Sequence, residues 1–312
     1  MARAYGSRSQ LAAAFEATYG TAPASGFFKM PFAQADLGMS QPLIDNELLG
    51  HGRDPLAPVK DAVTVDGGVT IPMDREALGF WLKMAFGAPT TTGTTNKTHT
   101  FKTGGYTLPS AAIEVAMPEI PRFAMYSGCV LDELSFQMQH AGQLTGQVKL
   151  VGQSEAVATT TQAGTPTAYA VQRFGNFNGS VKRGGVALGN VVSADLTYKN
   201  NLDPIETIRN DGKIDGADPT NATMTGKLDV RFADNVLMND AVNGTPIALE
   251  MALTISANVS LVITAHEVYL PVPKVPITGP KGIQASFDWQ AAFNSAAGQM
   301  ATIVLKNQIA SY

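Results

Sequence analysis

The residues able to carry chemistry are few and scattered. The chain holds four histidines, His51, His99, His140 and His266, and one cysteine, Cys129. No two histidines stand at i and i+4 and none lies beside Cys129, so neither a metal site nor a nucleophile–base relay has the spacing it needs. Structural or surface roles suit each histidine better. A lone thiol excludes an internal disulfide framework and a cysteine-based zinc site. The run from Gly184 to Gly189 does not fit a dinucleotide fingerprint, and no Gly-x-x-x-x-Gly-Lys-Ser/Thr phosphate loop occurs. Residues 211–218 come nearest to a ligand loop, with an Asp, a Gly and an apolar residue where a calcium loop places them. Its first ligands would then be Thr207 and Arg209, and a guanidinium inside a calcium cage is electrostatically wrong. The segment reads as an acidic turn in an extended loop. The sequence therefore predicts no enzyme, no cofactor and no metal.

Charge gathers instead in two long, proline-containing loops, residues 43–68 and 200–223. The first carries Arg53, Asp54, Lys60 and Asp61, and the second Asp203, Glu206, Arg209, Asp211 and Lys213. A long loop without structure in a compact domain is usually functional. Mixed charge at matched places suits docking onto a neighbouring copy, with electrostatic matching setting the register. These residues are the candidate interface; two solvated loops are the plain alternative.

The loops belong to an internal repeat. Asp54-Pro55-Leu56 leads to Val65-Asp66-Gly67, and Asp203-Pro204-Ile205 leads to Ile214-Asp215-Gly216, both 149 residues on (203 − 54; 214 − 65). Ser127-Gly128 matches Thr278-Gly279, and Ser135-Phe136 with Gln139 matches Ser286-Phe287 with Gln290, 151 residues on (286 − 135). A near-constant offset at both ends of a unit predicts a duplicated domain, hence a ring or an array.

Composition agrees. With 312 residues, 45% hydrophobic and 15% charged, the chain has room for two folded domains and an unusually uncharged surface, part of which partners should cover. A net charge of −4 argues against wrapping nucleic acid, which needs clustered Lys and Arg. No stretch approaches the roughly 18 apolar residues of a spanning helix, and residues 1–16 read as neither signal peptide nor anchor. Asn-x-Ser/Thr triplets, such as Asn96-Lys97-Thr98, read as chance in a Thr-rich chain.

The elements that must position these loops are mostly strands. The sequence predicts an N-terminal arm over 1–30 with a short helix at 10–19. A first domain spans 31–152, a linker low in bulky residues spans 153–173, and a second domain spans 174–312. In the first domain, Val63, Val65, Val69 and Ile71 flank Asp66-Gly67-Gly68, the pattern of two strands joined by a tight turn. Asp74 caps a helix whose Leu78, Trp81, Leu82, Ala85 and Phe86 form one apolar stripe ended by Gly87. Strand-like runs cover 113–117 and 134–150. In the second domain a helix over 234–242 closes at Asn243-Gly244, two strands share 247–270, and Pro271, Pro273, Pro276 and Pro280 mark a kinked connector. The fold class expected is mainly β, two tandem sandwich-type domains, each with one short flanking helix.

Three segments in order carry a family resemblance: Glu16-Ala17-Thr18-Tyr19-Gly20-Thr21, then the run from Gln41 to Pro55, then the Gly67-Gly68 pair with Leu78-Gly79-Phe80-Trp81-Leu82-Lys83. Together they resemble the major tail tube proteins of long-tailed, non-contractile (siphovirus-type) bacteriophages. The resemblance covers most of the first half and reaches the second through the repeat. It implies barrel-forming β-sandwich domains in rings of six around a lumen that conducts DNA into the host. Rings stack through the long loop and the terminal arms, so the charged residues above become ring-stacking candidates. It implies as partners the chain itself, the tape measure protein and the tail terminator and tip proteins, with DNA only in transit and no membrane. It places the protein in the virion tail, assembled in the bacterial host cytoplasm. With two domains per chain, three chains fill a ring of pseudo-sixfold symmetry. A tail-tip or adhesin-like β-sandwich binding module is the alternative, and it should expose clustered aromatics, whereas aromatics here are 8% and sit within apolar patterns.

Overall fold

The computed structural model describes residues 3–50, 52–277 and 279–312; His51, and Thr278 of the repeat match, lie outside the described residues. The chain is mainly β, with two α-helices among these residues. It begins with β1 (Gln10–Phe15), β2 (Phe28–Lys29), β3 (Gln34–Ala35) and β4 (Gly38–Ser40). A hairpin of β5 (Leu43–Asn46) and β6 (Leu56–Lys60) leads to β7 (Thr64–Pro72), helix α1 (Leu78–Phe86) and the short pair β8 (Thr90–Thr92) and β9 (Lys97–Lys102). Then come β10 (Ala111–Met117), the long β11 (Arg122–Gln139), β12 (Thr145–Gly152) and β13 (Ser154–Ala158). The second half runs β14 (Thr167–Ala168), β15 (Gly179–Arg183), β16 (Val186–Ala187), β17 (Val191–Lys199), a hairpin of β18 (Leu202–Ile205) and β19 (Gly216–Pro219), and β20 (Thr223–Arg231). It ends with α2 (Val236–Asn243), β21 (Ile247–Ser256), β22 (Val259–Tyr269), β23 (Gln284–Ala291) and β24 (Ala301–Asn307).

The halves correspond in register. Gly38 faces Asp66 between β4 and β7, and Thr197 faces Thr225 between β17 and β20, each 159 residues on (197 − 38; 225 − 66). Val151 faces Asp66 between β12 and β7, and Gln290 faces Thr225 between β23 and β20, with Gln290 139 residues beyond Val151 (290 − 151). These offsets replace the 149 and 151 read from short matches. Asp54 lies in the tip of its hairpin whereas Asp203 lies on the first strand of the other, and Ser135 and Ser286 sit on non-equivalent strands. What repeats is strand length and alternation, which leave little residue identity behind.

Two further expectations change. Residues 10–15 form a strand rather than a helix, because β1 pairs with β10 along its whole length. Its Leu11 and Ala13 enter one apolar cluster and Ala12 and Ala14 another, so an Ala-rich run buried on both faces shows no strand alternation. The Gly67-Gly68 pair makes no turn; β7 runs straight through it. Gly67 has φ 138°, and a Cβ there would come within 2.6 Å of the Leu37 backbone, which crosses at this point. The glycines serve close backbone approach.

The strands form two layers. One runs β3/β4–β7–β12–β11–β17–β20–β23 and passes from the first half to the second where β11 pairs with β17, Glu133 opposite Lys199 through Gln139 opposite Ser193. The other is β2–β1–β10–β11–β13 in the first half and β16–β15–β21–β22–β24 in the second, the latter extended by β9 and β8 of the first half, with β9 paired to β24. β11 serves both layers, bending at Gly128 with φ 68°. Residues expected to open the linker form β13 against β11, and further along it β14 pairs with β2 of the first half.

Candidate assembly surfaces

The first layer has one buried and one polar face, the alternation a half-solvated sheet requires. Val148, Leu150, Leu134, Phe136, Leu196, Tyr198, Leu228 and Phe287 point into the core. Asp66, Gln147, Lys149, Gln137, Thr225 and every second residue of β23 (Gln284, Ser286, Asp288, Gln290) are exposed. Amides and hydroxyls dominate this face, and its lysines sit beside carboxylates. Glu133 accepts from Lys149 at 3.0 Å and lies 3.3 Å from Lys199. Asp229 accepts from the hydroxyls of Ser193, at 2.7 Å, and Ser286, with the Lys227 ammonium at 3.8 Å. Burial pulls the Asp229 carboxyl upward, but those hydroxyls and Lys227 outweigh it and hold it below the ordinary value. Asp195 is pushed upward, chiefly by burial and further by Asp229 and Asp288. Open concavities on this face are lined by Asp36, Asp66 and Lys149 and by Asp195, Lys227 and Asp288. Such a surface offers phosphates no unneutralised cluster of cations.

The two charged loops are hairpins, β5–β6 and β18–β19, in equivalent places of the two halves. They differ in how they are held. The second folds back on its own chain: Val63 N–H donates to Gly212 O at 2.8 Å and Gln153 Nε2 to Ile214 O at 3.1 Å. Its charges pair internally, Arg209 with Asp211 at 3.0 Å and Asp215 at 2.7 Å, and Lys213 lies 3.9 Å from Asp211. The Arg209 hydrogen bonds hold the Asp211 carboxyl below its ordinary value. Asp203 and Glu206 are exposed. In the first hairpin Arg53, Asp54, Lys60 and Asp61 are exposed and have no ion-pair partner among the described residues. Around them lie apolar side chains that intrachain packing leaves half or more exposed: Leu43, Ile44, Leu48, Val59 and Leu49, the last 94% exposed. Charge alone draws attention away from them; their signal is paired apolar residues in an otherwise polar, proline-punctuated stretch.

The halves are locked together behind the first layer. Helix α1 is buried nearly all round rather than on one stripe, since Phe80 meets Phe15 at 4.3 Å and Phe86 meets Tyr198 at 4.5 Å from the other half. Asp74 Oδ1 accepts from the N–H groups of Glu76 and Ala77 at 2.9 and 2.8 Å, capping the turn before α1 rather than α1 itself, and Gly87 ends it. Buried Asn200 donates to Ala85 O at 3.1 Å and Leu131 O at 2.8 Å and accepts from Tyr198 Oη at 3.1 Å. Buried His99 bonds Thr91 Oγ1 at 2.8 Å, Asn307 Oδ1 at 3.2 Å and Ile309 O at 3.1 Å, tying β9 to the C-terminal strand. The Cys129 thiol is buried and pushed upward by that burial. Among the described residues no three His, Cys, Asp or Glu side chains gather as a metal would require, and no helix is long and apolar enough to cross a membrane.

The chain is thus mainly β, with an open hairpin and a polar sheet face, the features of a structural rather than a ligand-binding fold. The model of the phage tail tube protein family matches residues 6–291, and the chain belongs to that family. It is a structural component of the virion tail and not an enzyme. No curated protein matches the chain.

Proposed function

We propose that the chain polymerises as stacked rings into the tube of a siphovirus-type tail, with three chains to a ring in pseudo-sixfold symmetry and a lumen that conducts DNA into the host. The observation that carries this reading is the unbroken layer from β4 through the β11–β17 pairing to β23, in which both halves contribute one wall. The two halves act as two tube domains. A wall shared by both halves suits six domains from three chains better than six chains with half of each outside. The polar face lines the lumen, where amides, hydroxyls and neutralised lysines let DNA slide without adhering. The sequence resemblance in residues 16–83 is what points to a long, non-contractile tail.

Rings stack through the open β5–β6 hairpin, with Leu48 and Leu49 burying apolar surface on the next ring and Arg53, Asp54, Lys60 and Asp61 setting register. The second hairpin, with Asp203, Glu206, Arg209, Asp211 and Lys213, contributes to the same seam. Assembly takes place in the host cytoplasm, with the tape measure, terminator and tip proteins as further partners. Electron microscopy of purified protein at high concentration tests the reading: ring stacks or tubes support it, and discrete monomers at every concentration contradict it.

A further inference from the structure

We propose that the open edge of β3 and β4 in one chain receives residues 272–277 of the next chain as an added antiparallel strand, which closes the ring. This rests on the ring reading above. The warrant is that the chain already makes this contact once, within itself, where the far half of β11 pairs with β17. There Leu134 faces Tyr198, Phe136 faces Leu196 and Met138 faces Ala194. All of these are buried, at 6% exposure or less.

The repeat offsets locate the open counterparts of both strands. Shifting β17 back by 159 brings Ala194, Leu196 and Tyr198 onto Ala35, Leu37 and Met39 of β3 and β4, whose outer edge pairs with no strand among the described residues. Shifting β11 forward by 139 brings Val130 onto Tyr269, the last paired residue of β22, and Leu134, Phe136 and Met138 onto Pro273, Val275 and Ile277 in the segment that follows it. Pro273 and Val275 are half-buried between exposed Val272, Lys274 and Pro276, which is the phase of Leu134 and Phe136. The apolar alternation survives on both sides, as does Asp195 at Asp36. Exposure is where the two junctions differ. Ile277 is 78% exposed and Met39 43%, although their counterparts Met138 and Tyr198 are buried. Those are the side chains the next chain would cover, with Pro273 facing Met39, Val275 facing Leu37 and Ile277 facing Ala35.

Pro271, Pro273 and Pro276 lack ladder donors, which keeps this segment from templating strands on a free chain. They do not forbid pairing, since Pro72, Pro204 and Pro219 already sit in paired strands here. Pro273 and Pro276 differ in parity, so each side of the added strand loses only one donor.

The test mixes two single variants, Ala35→Cys and Ile277→Cys, assembles them and oxidises them. Cys129 stays silent because its thiol is buried and protonated. A disulfide-linked pair holding one chain of each variant is expected, at least tenfold more abundant than the link between Ala35→Cys and Lys274→Cys, which lies out of register. Rings seen by microscopy without that preference would overturn the pairing and leave the ring reading standing; wild-type protein that forms no rings would remove both. If a variant does not fold, hydrogen exchange on the wild type decides: the amides of residues 34–40 slow at least tenfold on assembly, and unchanged exchange contradicts the pairing.

Discussion

His99 shows how a residue that could do chemistry is used as a tie. Burial pushes its imidazole below the ordinary value, with the Asn307 and Ile309 hydrogen bonds opposing and Lys97 adding to the fall. The folded state takes up a proton less readily than the unfolded chain, which protonates below about pH 6.5. Its contribution is therefore present above that pH and lost as pH falls through it, by at most about 1.4 kcal/mol per unit. Thermal unfolding from pH 7.5 to 5 should show this decline, and His99→Gln should flatten it; an unchanged slope contradicts the role. Asn200 is the second tie. Asn200→Ala leaves the Ala85 and Leu131 carbonyls and the Tyr198 hydroxyl without this partner in a buried site. It should cost about 2–3 kcal/mol by denaturant titration. A structural role suited His99 from the sequence, but the partners were not legible there, because they lie far along the chain, His99 with Asn307 and Asn200 with Ala85 and Leu131. The absence of local motif spacing was legible, since spacing is a property of the sequence itself.

At the scale of elements, amphipathic periodicity carried as far as packing respected it. Helix α2, the strands β21 and β22 within the run 247–270, and the Gly87 and Gly244 stops follow from pattern and capping. It failed where burial was two-sided, at β1, and where glycine served contact rather than a turn, at β7. The second half repeats that use: a Cβ on Gly226, the counterpart of Gly67, would clash with the Asp195 backbone carbonyl, as one on Gly67 would with that of Asp36, and would lie 2.6 Å from the Trp289 ring. Gly226→Ala should therefore destabilise the fold by about 1–3 kcal/mol through overpacking, and an unchanged melting temperature would argue against the fit. The hairpins are the functional elements. Leu48→Ser with Leu49→Ser should leave the melting temperature and the rings intact but abolish long tubes, a change microscopy reads directly. Replacing Arg53, Asp54, Arg209 and Asp211 with Ala should likewise shorten tubes without unfolding the chain. Tubes of wild-type length from both variants would remove the hairpins from the seam.

The molecule as a whole combines a duplicated wall, a mildly acidic balance and a polar sheet face. The short matches 149 and 151 residues apart do not mark the correspondence between the halves, which lies in strand length and alternation and leaves little residue identity behind. The face predicts that assembled tubes hold duplex DNA no tighter than micromolar at physiological salt, and sub-micromolar retention in a mobility shift would contradict the lumen assignment. Seven paired strands of the first layer, counting β3 and β4 as one, with residues 272–277 as the eighth, give each chain its share of a closed barrel that leaves no free edge. Helical reconstruction of the tube tests this most directly. The prediction is three chains per ring, with β4, β7, β12, β11, β17, β20 and β23 of every chain lining the lumen; six chains per ring with only one half of each facing inward would contradict it.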